Sequence, residues 1–244
     1  SSDLVLAEGP EWLVVDKPAG QITVPGRHGE DDSVHAGLPE LRPDADLRIV
    51  HRLDRFTSGC LLLAKGVAAA RWLDQAFTEG RVHKTYVALV HGTVSPMSRV
   101  IDLPLMPDPR RPGKTVVARG HEREAKLAST ELEVASVHGD YSLLRLHPRT
   151  GRSHQLRCHL AAIGHPIVAD ADYGGRPLLL SELKRSYKLR RGVRERALLE
   201  RTFLHAASLR FPAPNGVEIQ VESPLPPDLR SALDRLERAE PARN

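Results

Sequence analysis

The segment HRLDRFTSG, residues 51–59, separates two apolar runs, residues 47–50 and 60–64, that are typical of buried strands. It gathers a histidine, two arginines, an aspartate, a threonine and a serine within nine positions. Catalytic groups commonly lie on loops that rigid strands hold in place. Because arginines flank Asp54, its carboxylate is expected to stay ionised. A second interpretation is a structural loop in which Asp54 and Thr57 bond backbone amides.

The hydrophobic pattern outside this segment predicts strands more often than helices. Further strands are predicted over residues 12–16, 84–91, 129–137, 141–146, 203–211 and 217–221. Helices are predicted over residues 67–78, with Ala70, Leu73 and Phe77 on the apolar face, and over 153–163 and about 227–238. Because short connections outnumber helical crossovers, we expect an α+β fold with a mixed, largely antiparallel central sheet flanked by helices.

Composition and cysteine content limit the class of protein. A chain of 244 residues with 41% hydrophobic residues can bury a genuine core in one large domain or two small ones. No apolar run approaches the roughly 20 residues that a membrane span needs, and the first residues do not resemble a secretory signal. Two cysteines, Cys60 and Cys158, are too few for a disulfide framework. We therefore expect a soluble, cytoplasmic protein.

Basic residues are concentrated in one part of the chain. The formal net charge is +4, but residues 181–210 contain three glutamates and nine cations: Lys184, Arg185, Lys188, Arg190, Arg191, Arg194, Arg196, Arg201 and Arg210. Such a block can contact nucleic-acid phosphates, since each neutralised phosphate releases counterions. The alternative is a solvated helix face. Aromatic residues make up only 4% of the chain, so a stacking surface of several exposed rings is not expected.

A second polar segment, HPRTGRSHQLR, spans residues 147–157 and leads into the helix predicted at 153–163. Ser153 is a suitable N-cap for that helix. His154 and Arg157, three positions apart, share a face distinct from the apolar one. A helix N-terminus with nearby arginines suits a phosphate or a carboxylate. The alternative is an arginine that satisfies backbone carbonyls.

Tyr86 is a third candidate, because it lies on the alternating strand predicted at residues 84–91, on the same face as Lys84. A tyrosine on the polar side of a strand can stack on a base or donate its hydroxyl. The alternative is a core tyrosine whose hydroxyl reaches the surface.

Taken together, these segments resemble the RluA family of pseudouridine synthases. HRLDRFTSG is similar to that family's signature, HRLD followed by two variable residues and TSG. Other similar segments follow in the family's order: WLVVDKPAG (12–20), HKTYVALVHG (83–92), DLPL (102–105), RTGRSHQLRCHLAAIGHPIVADADYGG (149–175) and LHA (204–206). The resemblance implies the pseudouridine synthase fold, with an active-site cleft across the central sheet.

The resemblance also implies roles for particular residues. Asp54 corresponds to the essential aspartate, which either attacks C1′ of the ribose or removes its 2′ proton. Tyr86 corresponds to the tyrosine that packs on the target uracil and is thought to take the C5 proton. Arg157 corresponds to the arginine that pairs with the catalytic aspartate. Substrate-binding roles fall to Arg52, which would hold the RNA where the base has left its stack, and to Thr57, Arg152 and His154.

The implied partner is a structured rRNA or tRNA, and we expect no membrane partner and a monomer. The reaction includes neither a redox step nor hydrolysis, so no cofactor and no metal are expected. Residues 1–244 would form a single catalytic domain, with two halves flanking the cleft and without a separate N-terminal RNA-binding module. Ala169 stands where a glycine is common in the family, which predicts an altered turn. The basic segment at residues 184–201 is expected to lie beside the cleft and contact phosphates.

Two rival interpretations stand beside this one. His154, Cys158 and His159 could belong to a metal hydrolase, although no carboxylate–histidine pattern completes a set of ligands. The other rival interpretation is an RNA-binding protein that has lost catalysis. Such a protein would not need Asp54, Tyr86 and Arg157 together.

Overall fold

The computed structural model describes residues 4–25, 32–95, 99–120, 122–183, 192 and 195–239. The chain divides into two compact units. Unit 1 comprises residues 1–86 and 205–224, and unit 2 comprises residues 87–204 and 225–244. None of the helices in the described ranges combines the length and the apolar character that crossing a membrane requires.

The described residues contain more strands than helices. The strands are β1 Val5–Glu8, β2 Trp12–Lys17, β3 Leu47–Ile49, β4 Ser58–Lys65, β5 His83–His91, β6 Arg99–Asp102, β7 Leu105–Pro107, β8 Thr115–Val117, β9 Ser129–His138, β10 Tyr141–Pro148, β11 Leu204–Pro212 and β12 Glu218–Glu222. The helices are α1 Val34–Leu41, α2 Gly66–Thr78, α3 Gln155–Ala162, α4 Leu180–Leu183 and α5 Pro227–Glu237, with a 3₁₀ turn at Ala171–Tyr173.

Strand β4 is the centre of the strand pairing in unit 1. β2 and β3 both pair with it antiparallel, and β11 pairs with it in parallel at Ser58 and Gly59. β1 joins β2, and β12 joins β11, both antiparallel. Every residue of β4 except Lys65 is buried, as its continuous apolar sequence predicts. The segment that carries Asp54 therefore leads directly into the most buried strand of the unit.

Helix α2 packs on this core through nearly the face that was predicted. Its buried residues are Ala69, Leu73 and Ala76, whereas Ala70 and Phe77 are only partly buried. The period of the apolar stripe is right and its centre is shifted by about one residue. The helix contacts β3 and β4.

Unit 2 is built on the predicted hairpin of β9 and β10. Their antiparallel register runs from Tyr141 opposite His138 to Pro148 opposite Thr130, and Gly139 adopts a φ of 56° in the turn. β6 pairs antiparallel with β9, and β7 and β8 form a separate two-stranded ribbon. Helix α3 and the 3₁₀ turn follow β10 along the chain.

The α+β class and the mixed, largely antiparallel strand pairing are confirmed. All the predicted strands and helices are present, and their ends agree within two residues. Six short helices and strands of the described residues were not predicted, because three to eight residues carry too little periodicity: β1, β6, β7, β8, α1 and α4. The single domain and the cleft across the sheet stay predictions.

The start of α3 differs from the prediction. The residue before the helix is His154, which has a left-handed φ of 52° and no side-chain capping bond, so Ser153 is not the N-cap. The reason lies in Gln155, whose side-chain oxygen accepts the N–H of Arg152 at 3.1 Å and the hydroxyl of Thr150 at 2.7 Å. The turn is therefore held from inside the helix by an amide rather than by a serine cap.

Candidate active site

Asp54 begins a β-turn that ends at Thr57. The backbone N–H of Thr57 donates to the carbonyl oxygen of Asp54 at 3.0 Å, which makes Arg55 and Phe56 the two corner residues. Asp54 is half-buried, Thr57 is buried, and both corner side chains are exposed. The turn is thus closed by a bond between backbone groups.

The corner of the turn is fixed by a buried lysine that the sequence analysis did not single out. The Nζ atom of Lys17 donates to the carbonyl oxygens of Pro18 at 2.8 Å, Gln21 at 2.6 Å and Arg55 at 3.2 Å. The Arg55 carbonyl also accepts the N–H of Gly20, and Arg55 Nε donates back to the Gly20 carbonyl. A buried ammonium requires such partners, so Lys17 ties the turn to the end of β2.

Thr23 fixes the residue before Asp54. Its buried hydroxyl donates to the carbonyl oxygen of Leu53 at 2.9 Å and accepts the Leu53 N–H at 3.1 Å. One side-chain oxygen therefore satisfies both backbone groups of Leu53, which itself is buried. Sequence reasoning also missed this residue, since 30 positions separate the partners.

A chain of buried hydrogen bonds holds the residue after the turn. Ser58 Oγ lies 2.9 Å from His205 Nδ1, and His205 Nε2 lies 3.1 Å from the carbonyl oxygen of Ser223. Because a carbonyl only accepts, Nε2 carries the hydrogen and Nδ1 accepts from the Ser58 hydroxyl. The Ser223 hydroxyl then donates to Asp16 at 2.9 Å. At Gly59, which follows, a Cβ would lie 2.2 Å from the Ala206 carbonyl oxygen, so only glycine fits.

His51 opens the same segment and has a structural role. Its Nε2 accepts the backbone N–H of Leu62 at 2.9 Å, and its ring packs on Phe77 at 5.0 Å between centroids. Burial, reinforced by the positive charge of Lys84, lowers the pKa of His51 to about 3. His51 is therefore neutral at physiological pH, and its Nε2 is engaged by the backbone N–H of Leu62.

Tyr86 belongs to unit 1 and is only 8% exposed, which agrees with the core position that the sequence left open beside the polar one. Burial in β5 begins at Tyr86 and continues at Ala88, Leu89 and Val90, whereas His83 is exposed. Burial, together with the negative charge of Asp54, raises the pKa of the Tyr86 hydroxyl. The phenol is therefore protonated through the neutral range, and it lies close enough to Asp54 for that carboxylate to affect its pKa.

Arg157 is fixed within unit 2 by two carboxylates. Its Nε and Nη2 atoms both bond Asp170 at 2.7 Å, and Nη2 also bonds Asp172 at 3.1 Å. Its guanidinium lies over the ring of Tyr173 at 4.9 Å. Arg157 and Asp170 are both buried. Lys114 also pairs with Asp172, and this pairing is the main reason why the pKa of Asp172 is lowered.

The neighbours of Arg157 use their polar atoms within unit 2. His154 Nδ1 lies 2.9 Å from the hydroxyl oxygen of Tyr173. The Tyr173 hydroxyl donates its hydrogen to the carbonyl oxygen of Thr115 at 3.1 Å. The exposed Arg152 donates through Nε to the carbonyl oxygen of Leu127 at 3.0 Å. The left-handed backbone of His154 costs energy and is therefore a mark of a constrained site.

The geometry does not assemble the metal site of the rival hydrolase. Both ring nitrogens of the buried His159 are engaged, Nδ1 with the Thr130 hydroxyl and Nε2 with the Leu103 carbonyl oxygen, each at 2.9 Å. Burial raises the pKa of the Cys158 thiol to about 11, which disfavours a thiolate ligand. Across the described ranges, no group of three or more histidine, cysteine or acidic side chains has the arrangement that holds a metal.

The structure thus gathers the predicted residues in two groups. Unit 1 contains Arg52, which is exposed, together with Asp54, Thr57 and Tyr86, and unit 2 contains Arg152, His154 and Arg157. The pairing of Asp54 with Arg157 stays a prediction. Six cations of the basic segment lie outside the described residues: Lys184, Arg185, Lys188, Arg190, Arg191 and Arg194. The described cations Arg196, Arg201 and Arg210 each pair with a carboxylate.

Comparison with known proteins gives consistent results. Residues 11–162 match the family model described as RNA pseudouridylate synthase. The chain is 36% identical over 241 residues to ribosomal large subunit pseudouridine synthase C of Escherichia coli K12, covering 98% of this chain and 71% of the relative. The solved structure of human RNA pseudouridylate synthase domain containing 4 has a TM-score of 0.76 at 26% identity, covering 98% and 94% of the two chains. The solved structure of human RNA pseudouridylate synthase domain containing 1 has a TM-score of 0.70 at 28% identity, covering 98% of this chain and 96% of the other.

Proposed function

Since the chain belongs to the RNA pseudouridylate synthase family, we propose that it converts uridine to pseudouridine in the RNA of the large ribosomal subunit, with Asp54 as the residue that acts on the ribose. The rRNA substrate is proposed from the name of the E. coli relative, which is 36% identical. The observation that carries the role of Asp54 is its turn, in which Leu53, Arg55 and Ser58 are each held by a buried side chain.

The reaction breaks the bond from C1′ to N1 of the uracil and forms a bond from C1′ to C5. The C5 proton is lost and N1 gains a proton, so atoms and electrons balance without an oxidant or water. In the proposed mechanism the Asp54 carboxylate either attacks C1′ or removes the 2′ proton. Both steps need a carboxylate held at a fixed distance from the sugar, and the fixed backbone on either side of Asp54 supports this requirement.

Tyr86 is proposed to pack its ring on the uracil while the base is detached and turned. Its burial beside Asp54 supports this role, because a flat apolar ring can hold a base without fixing its rotation. The raised pKa of Tyr86 keeps its hydroxyl protonated. Any transfer of the C5 proton to Tyr86 would therefore need an earlier loss of its own proton.

Arg157 is proposed to orient the Asp54 carboxylate. The Nε and Nη2 atoms of Arg157 bond the two carboxylate oxygens of Asp170, and this two-armed contact supports one fixed orientation of the guanidinium. Arg52 is proposed to bind RNA phosphate or to fill the gap that the extruded base leaves, which its exposed position two residues before the turn supports.

The proposed function is tested by incubating the chain with unmodified transcripts of large-subunit rRNA in the presence of EDTA and then mapping pseudouridine. We expect pseudouridine at one or a few positions with the wild-type chain and none with Asp54→Asn. A wild-type chain that binds the transcript without forming pseudouridine would overturn the proposal in favour of an RNA-binding protein. Activity that EDTA abolishes would favour a metal-dependent enzyme.

A further inference from the structure

Ser58 and His205 are joined both by strand pairing and by a side-chain bond, at the point where the Asp54 turn leads into β4. Both residues belong to unit 1, and they lie opposite each other in the parallel register of β4 and β11. Their side chains also bond, with Ser58 Oγ 2.9 Å from His205 Nδ1. Both are almost completely buried. A directional bond therefore reinforces the strand register at the first residue after the turn.

The ring of His205 is held on its other side as well. Its Nε2 donates to the carbonyl oxygen of Ser223 at 3.1 Å. The backbone N–H of Ser223 donates to the carbonyl oxygen of Ala207 at 2.8 Å, and the Ser223 hydroxyl donates to Asp16 at 2.9 Å. One chain of hydrogen bonds thus joins β2, β4, β11 and the residue after β12. A buried polar network whose members have partners stabilises a single arrangement.

The polar pair contrasts with the rest of β4, in which residues 60–64 are apolar and buried. Burying polar groups costs desolvation energy that an apolar pair would not cost. A hydrogen bond adds direction in return, because it weakens steeply as its angle departs from linear. Contact with β11 is also close at the next residue, since a Cβ on Gly59 would lie 2.2 Å from the Ala206 carbonyl oxygen. The start of β4 therefore has one well-defined position against β11.

From this geometry we propose that His205 is a positioning residue for the reaction, because its Nδ1 atom holds the hydroxyl of Ser58 and thereby the end of the turn that carries Asp54. The inference rests on the proposed function above. Only Thr57 separates Ser58 from the turn corner, and its N–H donates to the Asp54 carbonyl oxygen at 3.0 Å. A displacement of Ser58 is therefore passed to the backbone of Asp54. Misplacing a reacting group by about 1 Å can lower a rate by about 100-fold.

Two amide substitutions separate the two bonds of the imidazole. The amide of asparagine lies as many bonds from Cβ as Nδ1 does, and the amide of glutamine as many as Nε2 does. His205→Asn therefore keeps an acceptor for Ser58 and loses the donor to Ser223, whereas His205→Gln keeps the donor and loses the acceptor. With a large-subunit rRNA transcript, we expect kcat to fall by about 10- to 100-fold in His205→Gln at an unchanged Kd. In His205→Asn, kcat should stay near the wild-type value.

Ser58→Ala tests the same bond from its other end. This variant should lower kcat about as much as His205→Gln does, again at an unchanged Kd for the transcript. Because the two changes remove one shared bond, the double variant should be no slower than the slower single variant. All rates are measured at a temperature where every variant is folded.

His159→Gln is the matched control. His159 is a buried histidine of unit 2 with the same bonding pattern, Nδ1 to the Thr130 hydroxyl and Nε2 to the Leu103 carbonyl oxygen. Its substitution should cost stability as His205→Gln does. Turnover should stay near the wild-type value, because the bonds of Arg157 to Asp170 do not involve His159.

Equal kcat values in His205→Asn and His205→Gln would overturn the inference, and so would losses of kcat in Ser58→Ala and His205→Gln that simply multiply in the double variant. Should His205→Gln fail to fold, Ser58→Ala is the smaller change, and a wild-type kcat in that variant would also overturn it. Failure of the proposed function is a separate result, since it appears as a wild-type chain that forms no pseudouridine in rRNA.

Discussion

The turn that carries Asp54 and the helix that carries Arg157 are held in place by different kinds of interaction. Hydrogen bonds to the residues around Asp54 hold the turn: Thr23 and Lys17 donate to backbone carbonyls of Leu53 and Arg55, and His205 bonds the hydroxyl of Ser58. Arg157 is held by its own guanidinium, through the carboxylates of Asp170 and Asp172. The interactions that hold the turn do not depend on the Asp54 carboxylate, whereas Arg157 also contributes to the stability of unit 2. Substitutions in the two regions should therefore separate activity from stability.

The largest expected effect is on turnover, in the variant Asp54→Asn. We expect the rate of pseudouridine formation to fall by several powers of ten, because the amide can neither attack C1′ nor accept the 2′ proton. The variant should still fold as wild type does, since Leu53, Arg55 and Ser58 keep their partners. Single-turnover rates and melting curves of the same preparation check this, and a rate within tenfold of wild type would contradict the role of Asp54.

The next effect is on stability, in Arg157→Ala. Removing one partner of a buried ion pair leaves the other charge uncompensated and typically costs about 3–5 kcal/mol. Asp170 is 1% exposed, so it should show this cost in full. Arg210→Ala is the control, because it breaks an exposed ion pair with Glu218 and should change stability little. Denaturant unfolding of both variants is the measurement, and equal losses would mean that the burial of the Asp170 pair adds nothing.

Arg157→Lys then separates orientation from charge. A lysine keeps the positive charge but cannot form the two-armed contact of a guanidinium. We expect a lower kcat than in wild type even where the variant is fully folded, and no further loss when Arg157→Lys is added to Asp54→Asn. Full kcat in folded Arg157→Lys would argue against the pairing of Asp54 with Arg157.

The same contrast explains what the sequence could and could not predict. Residues 51–59 were found because they interrupt two apolar strands, and the hairpin at Gly139 was found because both of its strands show clear patterns. Lys17 and Thr23 were missed because their partners in the turn lie 30 or more positions away, and periodicity contains no information on such pairs. Ser153 was wrongly assigned as a cap because Gln155, later in the chain, already satisfies the turn.

A smaller effect should distinguish two hydroxyls with the same bonding pattern. Thr23 in unit 1 and Ser142 in unit 2 are both buried, and each donates to one backbone carbonyl and accepts one backbone N–H. Thr23→Val and Ser142→Ala should each lose about 1–3 kcal/mol of stability, because buried backbone groups are left unsatisfied. Thr23→Val alone should also lower kcat, by up to about 100-fold, if Leu53 shifts and misplaces Asp54.

The kinetics are measured at a temperature where all variants are folded, and Thr23→Ser should restore kcat because it keeps the hydroxyl. Equal kcat in Thr23→Val and Ser142→Ala would mean that the hydroxyl of Thr23 is structural only.

The smallest effect is expected at Ala169, next to Asp170. Ala169 has a φ of 61°, a left-handed conformation that costs an L-residue roughly 1–2 kcal/mol. Glycine removes that strain but loses more chain entropy on folding, about 0.4–1 kcal/mol, so Ala169→Gly should be more stable by about 1 kcal/mol or less.

Gly174, in the same segment, is the reverse control: its φ is 86° and a Cβ would meet nothing within 4 Å, so Gly174→Ala should lose stability through backbone strain alone. Melting midpoints should shift in opposite directions by about 2–4 °C or less. Turnover should stay at the wild-type level in both, because neither change touches the bonds between Arg157 and Asp170. A shift of the same sign in the two variants would show that contacts, not backbone conformation, determine stability in this segment.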